Sequence, residues 1–272
     1  MVDMRRAVRC GRIVRAMPIA LITGGTSGIG AAFARALAAR GTDLVLVARD
    51  PDRLASVSAD LSTSFGVDVE TVVADLADRA DVDRVATVLE RTDRPIDMLV
   101  NNAGFGVHDA LLAEDTTIHE RALDVMVRAV LVLGGAAGRA MRARGNGYIV
   151  NTSSTAGFIT MGAYSAIKAW VTSYSEGLAV ELAGTGVGVT ALCPGWVRTE
   201  FHERAGIRAS SIPSFLWVDA DALVAEALQD VARGRVISIP SVRFRVLMWL
   251  ARHAPRGAIR WVSGRISSSR RH

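Results

Sequence analysis

The chain has 272 residues, of which half are apolar, 22% are charged and 6% are aromatic, as in a globular protein with a large core. Its two cysteines, Cys10 and Cys193, cannot form a disulfide framework, and no cluster of His and Cys residues offers a metal site. This cysteine usage suits a reducing compartment, so we expect a protein of the cytoplasm. No apolar run is long enough for a membrane-spanning helix.

The net charge of +5 is concentrated at the two ends of the chain. Residues 1–16 carry five Arg and one acid, and residues 243–272 carry eight Arg and no acid. The part between them carries 19 basic and 26 acidic side chains. Because this central part is acidic, we expect no nucleic-acid partner. A nucleic-acid binder would instead lose its salt-dependent binding when both ends are removed.

Seven short apolar or β-branched runs predict strands, and they lie at 18–23, 43–48, 69–74, 96–102, 147–152, 188–193 and 235–240. Apolar residues at helical spacing predict helices between them, at 31–40, 81–90, 116–143, 163–183 and 219–234. This alternation predicts a single α/β domain of the Rossmann type, a doubly wound, mainly parallel seven-stranded sheet flanked by helices. Ligands of such folds bind at the carboxyl ends of the strands.

The first predicted strand leads into a glycine-rich turn, TGGTSGIG at 23–30. Gly24, Gly28 and Gly30 allow a tight turn and let a pyrophosphate approach the first turn of the following helix. Because the motif stands between a predicted strand and a predicted helix, it indicates a dinucleotide site.

The second strand ends in LVLVARD, which places Arg49 where the adenosine ribose would lie. An arginine at this position can pair with a 2′-phosphate, so we expect NADP (NADPH) as the cofactor. The alternative is that Arg49 is a solvated loop cation and Asp50 binds the ribose hydroxyls.

Tyr164 and Lys168 stand four residues apart in YSAIK and would share one face of a helix. Among 32 basic residues Lys168 is the only lysine, which suggests that this position needs a compact ammonium. A neighbouring ammonium is expected to lower the pKa of the phenol. Ser153 and Ser154, at the end of the preceding strand, offer a hydroxyl that could polarise a carbonyl.

With these residues the chain resembles the short-chain dehydrogenase/reductase family over about residues 18–240. The matching motifs are TGGTSGIG, the Ala48-Arg49 strand end, Asp75-Leu76, NNAG at 101–104, the serine strand, YSAIK, and PGWVRT at 194–199. The resemblance implies an enzyme that oxidises an alcohol or reduces a ketone or aldehyde with NAD(P).

The resemblance also implies a role for each matching residue. Tyr164 would be the acid/base, Lys168 would also hold the nicotinamide ribose, and Ser154 would position the carbonyl. Asp75 would face the adenine, Asn101 the adenosine side and Thr199 the carboxamide. The predicted cofactor-binding residues are Gly24, Thr26, Ser27, Gly28, Ile29, Gly30, Arg49, Asp75, Leu76, Asn101, Ala103, Gly104, Tyr164, Lys168, Pro194, Gly195, Val197 and Thr199.

The chain departs from the family pattern at two points. Met126 stands where similar proteins have an asparagine that belongs to a water relay behind the lysine. The interval from Ser154 to Tyr164 is ten residues, shorter than in similar proteins, which leaves both Ser153 and Ser154 as candidates for the catalytic hydroxyl.

Two apolar segments have two interpretations each. Residues 200–218 contain Phe201, Ile207, Ile212, Phe215, Leu216 and Trp217. They either cover a lipid-like or steroid-like substrate or pack against another subunit.

Residues 243–266 mix Trp249, Leu250, Ile259 and Trp261 with arginines. They fit a helix on an anionic membrane surface, making the protein peripheral to that membrane, or a contact with a neighbouring subunit. The helices at 116–143 and 163–183 resemble those through which the family forms homodimers and homotetramers.

Three segments are therefore expected. Residues 1–17 form a disordered basic extension or reflect the choice of start site, since Met17 directly precedes the first strand. Residues 18–242 form the NADP-binding catalytic domain, with a substrate loop at about 200–218, and residues 243–272 form a basic amphipathic segment. The expected function is hydride transfer between NADP(H) and a carbonyl/alcohol substrate, with a regulatory NADP-binding protein that lost turnover as the alternative.

Overall fold

The computed structural model describes residues 18–107, 109–198 and 216–255, together with 257 and 260. The strands in these ranges are β1 (Ile19–Thr23), β2 (Asp43–Ala48), β3 (Val69–Val73), β4 (Met98–Asn101), β5 (Gly147–Thr152), β6 (Val187–Leu192), β7 (Trp196–Val197), β8 (Trp217–Val218) and β9 (Ile237–Ser238). Seven of them form one sheet in the order β3-β2-β1-β4-β5-β6-β9, with every pairing parallel. The short β7 and β8 pair with each other.

The helices in the described ranges are α1 (Gly28–Ala38), α2 (Pro51–Phe65), α3 (Arg79–Glu90), α4 (Thr117–Leu123), α5 (Ala129–Arg144), α6 (Gly162–Glu181), α7 (Ala220–Ala232) and α8 (Val242–His253). A π-helical turn, Asp124–Arg128, connects α4 to α5. A 3₁₀ turn, Thr155–Phe158, follows β5.

Helices cover both faces of the sheet. Since successive residues of a strand point to opposite faces, neighbouring residues of β1 pack against different helices. Leu21 belongs to a buried cluster with side chains of α3 and α5, such as Val85 and Leu133. The next residue, Ile22, belongs to a second cluster with Phe33 of α1 and with side chains of α2 and α7. The sheet is therefore doubly wound, and the predicted fold class is confirmed.

The structure differs from the predicted elements in three places. The helix predicted over 116–143 is interrupted by the π turn at Asp124–Arg128, which inserts Met126 into the core at 1% exposure. The last strand, predicted over 235–240, narrows to Ile237–Ser238, which is the stretch that pairs with β6. Helix α2 was not predicted, although Asp50 caps it by accepting from the Arg53 N–H and Pro51 occupies its first turn.

Several predictions concern residues outside the described part of the chain. These are the basic extension 1–17, Cys10, Thr199 and most of the substrate loop, since the structure describes nothing from 199 to 215. They stay predictions, as does the division into three segments. Among the described helices, none is both long and apolar enough to cross a membrane.

The strand order determines where a ligand can bind. β1 lies between β2 and β4. The strands that follow β1 are therefore added first on one side of it (β2, β3) and then on the other (β4, β5, β6, β9). The loops that leave β1 and β4 separate there, and a crevice opens beyond their carboxyl ends. The glycine-rich turn and the NNAG motif both follow strands at this point.

The glycine-rich turn depends on a close backbone approach that can be tested. A Cβ added to Gly30 would lie 2.1 Å from the Gly24 carbonyl oxygen and 2.6 Å from Asn102 Nδ2. We therefore expect Gly30→Ala to lower the free energy of unfolding by about 1–3 kcal/mol, measured by thermal unfolding. Gly177→Ala is the matched control, because a Cβ at this position of α6 meets nothing within 4 Å, and it should stabilise by about 0.5–1 kcal/mol. Equal melting temperatures for the two variants would contradict the proposed crowding.

Candidate active site

A cavity of about 1030 Å³ lies beyond the carboxyl ends of the central strands. Its walls come from the segments that follow β1, β2, β3, β4, β5 and β6, and from the start of α6. The predicted cofactor residues that line it are Gly24, Thr26, Ser27, Gly28, Ile29, Arg49, Asp75, Leu76, Ala103, Gly104, Tyr164, Lys168, Pro194, Gly195 and Val197. The fold thus brings segments far apart in sequence to one site.

The glycine-rich turn fits a bound pyrophosphate. Gly24 and Gly28 have φ angles of 66° and 54°, which side-chain-bearing residues rarely adopt. Ser27 is the N-cap of α1 but makes no side-chain capping bond, so it leaves the amide groups of the first turn to other acceptors. These amides lie at the positive end of the helix dipole, where an anionic group is stabilised.

Two arginines line the cavity after β2. Arg49 is the predicted one, and Arg53 was not identified from the sequence. Arg53 donates from Nε to the Thr26 carbonyl at 3.1 Å, which ties the first turn of α2 to the glycine-rich turn. Asp50 uses one carboxylate oxygen to cap α2, accepting from the Arg53 backbone N–H at 3.0 Å. The end of β2 therefore carries two cations and an acid that is engaged in capping.

Asp75 lines the cavity after β3 and is paired with an arginine that sequence reasoning missed. Arg121 of α4 donates to Asp75 Oδ2 at 2.7 Å, and the Ala77 N–H donates to Oδ1 at 3.0 Å. Although burial raises the pKa of Asp75, these two hydrogen bonds bring it below its usual value. Asp75 is thus an oriented carboxylate. Arg121 also lines the cavity, and only the fold could bring it there from 46 residues away.

The prediction for Asn101 needs a correction. Its side chain is buried at 4% exposure and donates to Asn151 Oδ1 at 2.9 Å. Asn151 in turn donates to Ser175 Oγ at 3.0 Å, so Asn101 begins a buried network and does not line the cavity. Its neighbour Asn102 lines the cavity instead and donates from Nδ2 to the Thr23 carbonyl at 3.1 Å. Gly30 lies behind the Gly24 carbonyl rather than on the cavity surface.

Tyr164, Lys168 and Ser154 meet at the other end of the cavity. Both α6 residues lie on one helix face, with Lys168 Nζ 5.6 Å from the centroid of the Tyr164 ring. The hydroxyls of Ser154 and Tyr164 are hydrogen-bonded. The ten-residue interval between them accommodates a 3₁₀ turn and still lets their side chains meet.

The two serines have different surroundings. Ser153 is 1% exposed and donates to the Lys168 carbonyl at 2.7 Å, and its hydroxyl lies 2.7 Å from that of Thr172. Ser154 is half-buried beside Tyr164 and accepts from the Ala156 N–H at 3.1 Å. The geometry therefore favours Ser154 as the hydroxyl that a substrate would meet.

Burial determines the protonation of this group. It raises the pKa of Tyr164 to about 12, against the lowering effect of the hydrogen bond with Ser154. It lowers the pKa of Lys168 to about 8, while the nearby Cys193 opposes that shift. The expected lowering of the phenol's pKa is not seen in this structure, because the loss of hydration raises that pKa above its ordinary value. Near pH 7 the phenol keeps its proton and the lysine is mostly an ammonium.

Met126, one of the two departures from the family pattern, lies beside this group. It is buried on the π turn, and a Cβ added to Gly104 would lie 2.9 Å from its sulfur. The same added Cβ would lie 3.8 Å from Lys168 Nζ. The Met126 thioether and the Lys168 ammonium are therefore both close to Gly104. Lys168 meets a backbone acceptor directly, donating to the Thr152 carbonyl at 2.8 Å.

Comparisons with known proteins identify the family of the chain. The short chain dehydrogenase family model matches residues 18–208. A Streptomyces violaceoruber protein named "Granaticin polyketide synthase putative ketoacyl reductase 1" is 39% identical over 199 residues, which cover 70% of this chain and 71% of that protein.

Solved structures give the same result. The structure of a short-chain dehydrogenase from Sphingobium yanoikuyae in complex with NADPH has a TM-score of 0.79 and 36% identity, covering 88% of this chain and 97% of that one. A bulky-bulky ketone specific alcohol dehydrogenase from Comamonas testosteroni has a TM-score of 0.75 and 32% identity, covering 88% and 96%. The chain therefore belongs to the short-chain dehydrogenase/reductase family and is an oxidoreductase of that type.

The pKa of Lys168 can be measured by NMR without assigning signals, because Lys168 is the only lysine in the chain. In protein labelled with ¹³C at lysine Cε, the single side-chain signal should titrate with a pKa of about 8, owing to burial of the ammonium. The same protein unfolded in urea is the control and should titrate near about 10.4. A folded-state value close to the unfolded one would show that Lys168 is hydrated.

Proposed function

We propose that this protein is an NADPH-dependent reductase of apolar ketones or aldehydes, and that it also catalyses the reverse oxidation of the alcohols. The observation that carries the proposal is the hydrogen-bonded Ser154–Tyr164 pair, with Lys168 one turn away, in the same cavity as the glycine-rich turn. Bound NADPH would supply a hydride to the carbonyl carbon of the substrate.

The protein's own groups would act on the carbonyl oxygen. The Ser154 and Tyr164 hydroxyls are close enough to each other to donate to one oxygen atom together. As that oxygen gains negative charge it becomes far more basic than a phenolate, so it takes the Tyr164 proton. The Lys168 ammonium, 5.6 Å from the ring centroid, stabilises the phenolate that remains. In the oxidative direction the same groups act in reverse.

The preference for NADP rests on the cationic end of the cavity. Arg49 and Arg53 both line it, and a 2′-phosphate would pair well with guanidinium groups. Asp50, the alternative ligand of the ribose hydroxyls, already caps α2. The oriented carboxylate of Asp75 is suited to accept from the adenine amino group.

The apolar character of the substrate rests on the apolar side chains of the cavity wall. Val107, Ile159, Met161 and Trp196 are among them. The similarity to a dehydrogenase specific for bulky ketones supports the same class of substrate. The cover formed by residues 200–218 remains part of the proposal.

We propose a cytoplasmic homodimer or homotetramer formed through α5 and α6. Both helices expose apolar side chains, Leu131 at 50% and Val180 at 77%, which an intersubunit contact would cover.

The metal-free reaction and the small-molecule substrate follow from the proposed chemistry of Ser154 and Tyr164.

The cofactor preference should depend on Arg49. A charge-assisted hydrogen bond is worth about 1.5–3 kcal/mol, so Arg49→Ala should weaken NADPH binding by roughly 10- to 150-fold and leave NADH nearly unchanged. Arg40→Ala removes an equal charge from an exposed position outside the cavity and is the control. The measurement is the dissociation constant of NADPH and of NADH for the parent and both variants, obtained by calorimetry. Equal losses for both cofactors, or tighter NADH binding by the parent, would refute the preference.

Turnover should depend on the phenol of Tyr164. Tyr164→Phe keeps the ring and removes the proton donor, so reduction of a ketone panel should fall by at least about 10²- to 10⁴-fold while NADPH still binds. Tyr174→Phe is the control, since Tyr174 is a half-buried tyrosine of the same helix that stacks on Trp170 outside the cavity. A parent protein that binds NADPH but reduces nothing, like Tyr164→Phe, would favour the regulatory alternative.

A further inference from the structure

Helix α8 (Val242–His253) has one buried face and one exposed apolar face. Phe244 and Met248 are buried at 5% and 8% exposure and attach the helix to the domain. Five apolar side chains are exposed along the helix, with Val242 at 64%, Val246 at 54%, Leu247 at 44%, Trp249 at 60% and Leu250 at 53%, and the exposed Arg243 and His253 lie among them. In the rest of the described chain, exposed apolar side chains of this size are not gathered along one helix.

The charge around this face has one sign. α8 contains Arg243, Arg245 and Arg252 and no acidic residue. The sequence from 243 to 272 carries eight arginines and no acid. Arg245 pairs with Glu226 of α7, and the Arg252 guanidinium lies 5.5 Å above the Phe158 ring. An apolar face accompanied by excess positive charge matches an anionic bilayer, whose surface attracts arginines and whose acyl region accepts apolar side chains.

We propose that the exposed face of α8, defined by Val242, Val246, Leu247, Trp249 and Leu250, binds the surface of an anionic lipid bilayer. The helix lies in the plane of the interface, with its apolar side chains below the headgroups and its two exposed arginines, Arg243 and Arg252, at the depth of the phosphates. Trp249 suits this depth, because the indole ring is apolar and its N–H is polar.

A symmetric contact with a second copy of the chain fits this face less well. In a two-fold contact the same surface meets itself, so the α8 arginines of the two copies would approach each other. Arg245 pairs with Glu226 of its own chain, but neither α8 nor the sequence that follows it contains a further acid. Like charges at a buried contact are costly, whereas lipid phosphates neutralise them.

The position of α8 connects this surface to the active site. A Cβ added to Gly195, which lines the cavity, would lie 2.2 Å from the Phe244 ring. Phe158, under Arg252, belongs to the 3₁₀ turn that follows Ser154. A chain docked through α8 therefore holds the reactive end of the cavity near the bilayer. Membrane docking through α8 then implies that the substrate is a long-chain carbonyl compound dissolved in the membrane, an inference that rests on the proposed function.

The test is flotation of the full-length chain with vesicles made of equal parts phosphatidylcholine and phosphatidylserine, or of phosphatidylcholine alone. The parent should float with the anionic vesicles and bind the neutral ones at least about tenfold more weakly. The double variant Trp249→Ser/Leu250→Ser should bind the anionic vesicles at least about tenfold more weakly than the parent. Its melting temperature should match the parent's, since both side chains are exposed.

The matched control is Leu111→Ser/Leu112→Ser, which removes two exposed leucines at 68% and 95% from a loop rich in acids. It should bind vesicles as the parent does. Three outcomes would overturn the proposal: a parent that ignores anionic vesicles, an α8 variant that binds like the control, or an α8 variant whose main defect is a lower oligomeric state in sedimentation.

A second measurement concerns delivery. With a long-chain ketone in anionic vesicles the α8 variant should turn over at least about tenfold more slowly than the parent, and with a short water-soluble ketone at the same rate. Equal rates with the vesicle-borne ketone would overturn delivery from the bilayer. If the parent reduces neither ketone, the proposed reductase function fails, while flotation still decides whether α8 binds the membrane.

Discussion

The arrangement of the reactive groups depends on a set of buried hydrogen bonds that hold α6 against the end of β5. Lys168 donates to the Thr152 carbonyl at 2.8 Å, and Ser153 donates back to the Lys168 carbonyl at 2.7 Å. Thr172, one turn further on, donates to the same carbonyl at 3.1 Å. Since Tyr164 is one turn before Lys168 and Ser154 follows Ser153, these bonds fix the distance between the two reactive hydroxyls.

This arrangement has an energetic cost. Placing an ammonium at 4% exposure removes most of its hydration, and the pKa of Lys168 near 8 records that loss. Because the folded-state value lies below the unfolded 10.5, the lysine destabilises the fold most below about pH 8. The destabilisation declines as the pH rises from about 8 to 10.5 and is absent well above 10.5, where the folded and unfolded lysines are both neutral. The fold retains the ammonium at neutral pH, where a phenolate or a ribose would use it.

Local patterns in the sequence were sufficient for much of this site. The strand runs, the glycine turn and the Tyr164–Lys168 spacing are features of short segments; the structure contains the seven strands, the last one shorter than predicted, and places the glycine turn, Tyr164 and Lys168 at one cavity. Arg121 could not be found this way, because it reaches Asp75 only when the fold brings α4 to the segment that follows β3. The choice between Asn101 and Asn102 depends on which face the last residue of β4 presents, and the pKa of Tyr164 depends on burial by residues from several elements. Both are properties of the assembled fold.

Met126 changes what surrounds the ammonium of Lys168. An asparagine at this position would offer a carbonyl oxygen, whereas a thioether is only a weak acceptor. Lys168 has three N–H donors, and the Thr152 carbonyl accepts from one of them. With an apolar sulfur on the side of the π turn, the remaining donors are best satisfied from the cavity, which Lys168 lines. A ligand with adjacent hydroxyls, such as a nicotinamide ribose, would meet them and offset part of the desolvation cost. Met126 would therefore leave two N–H donors of Lys168 to a ligand in the cavity.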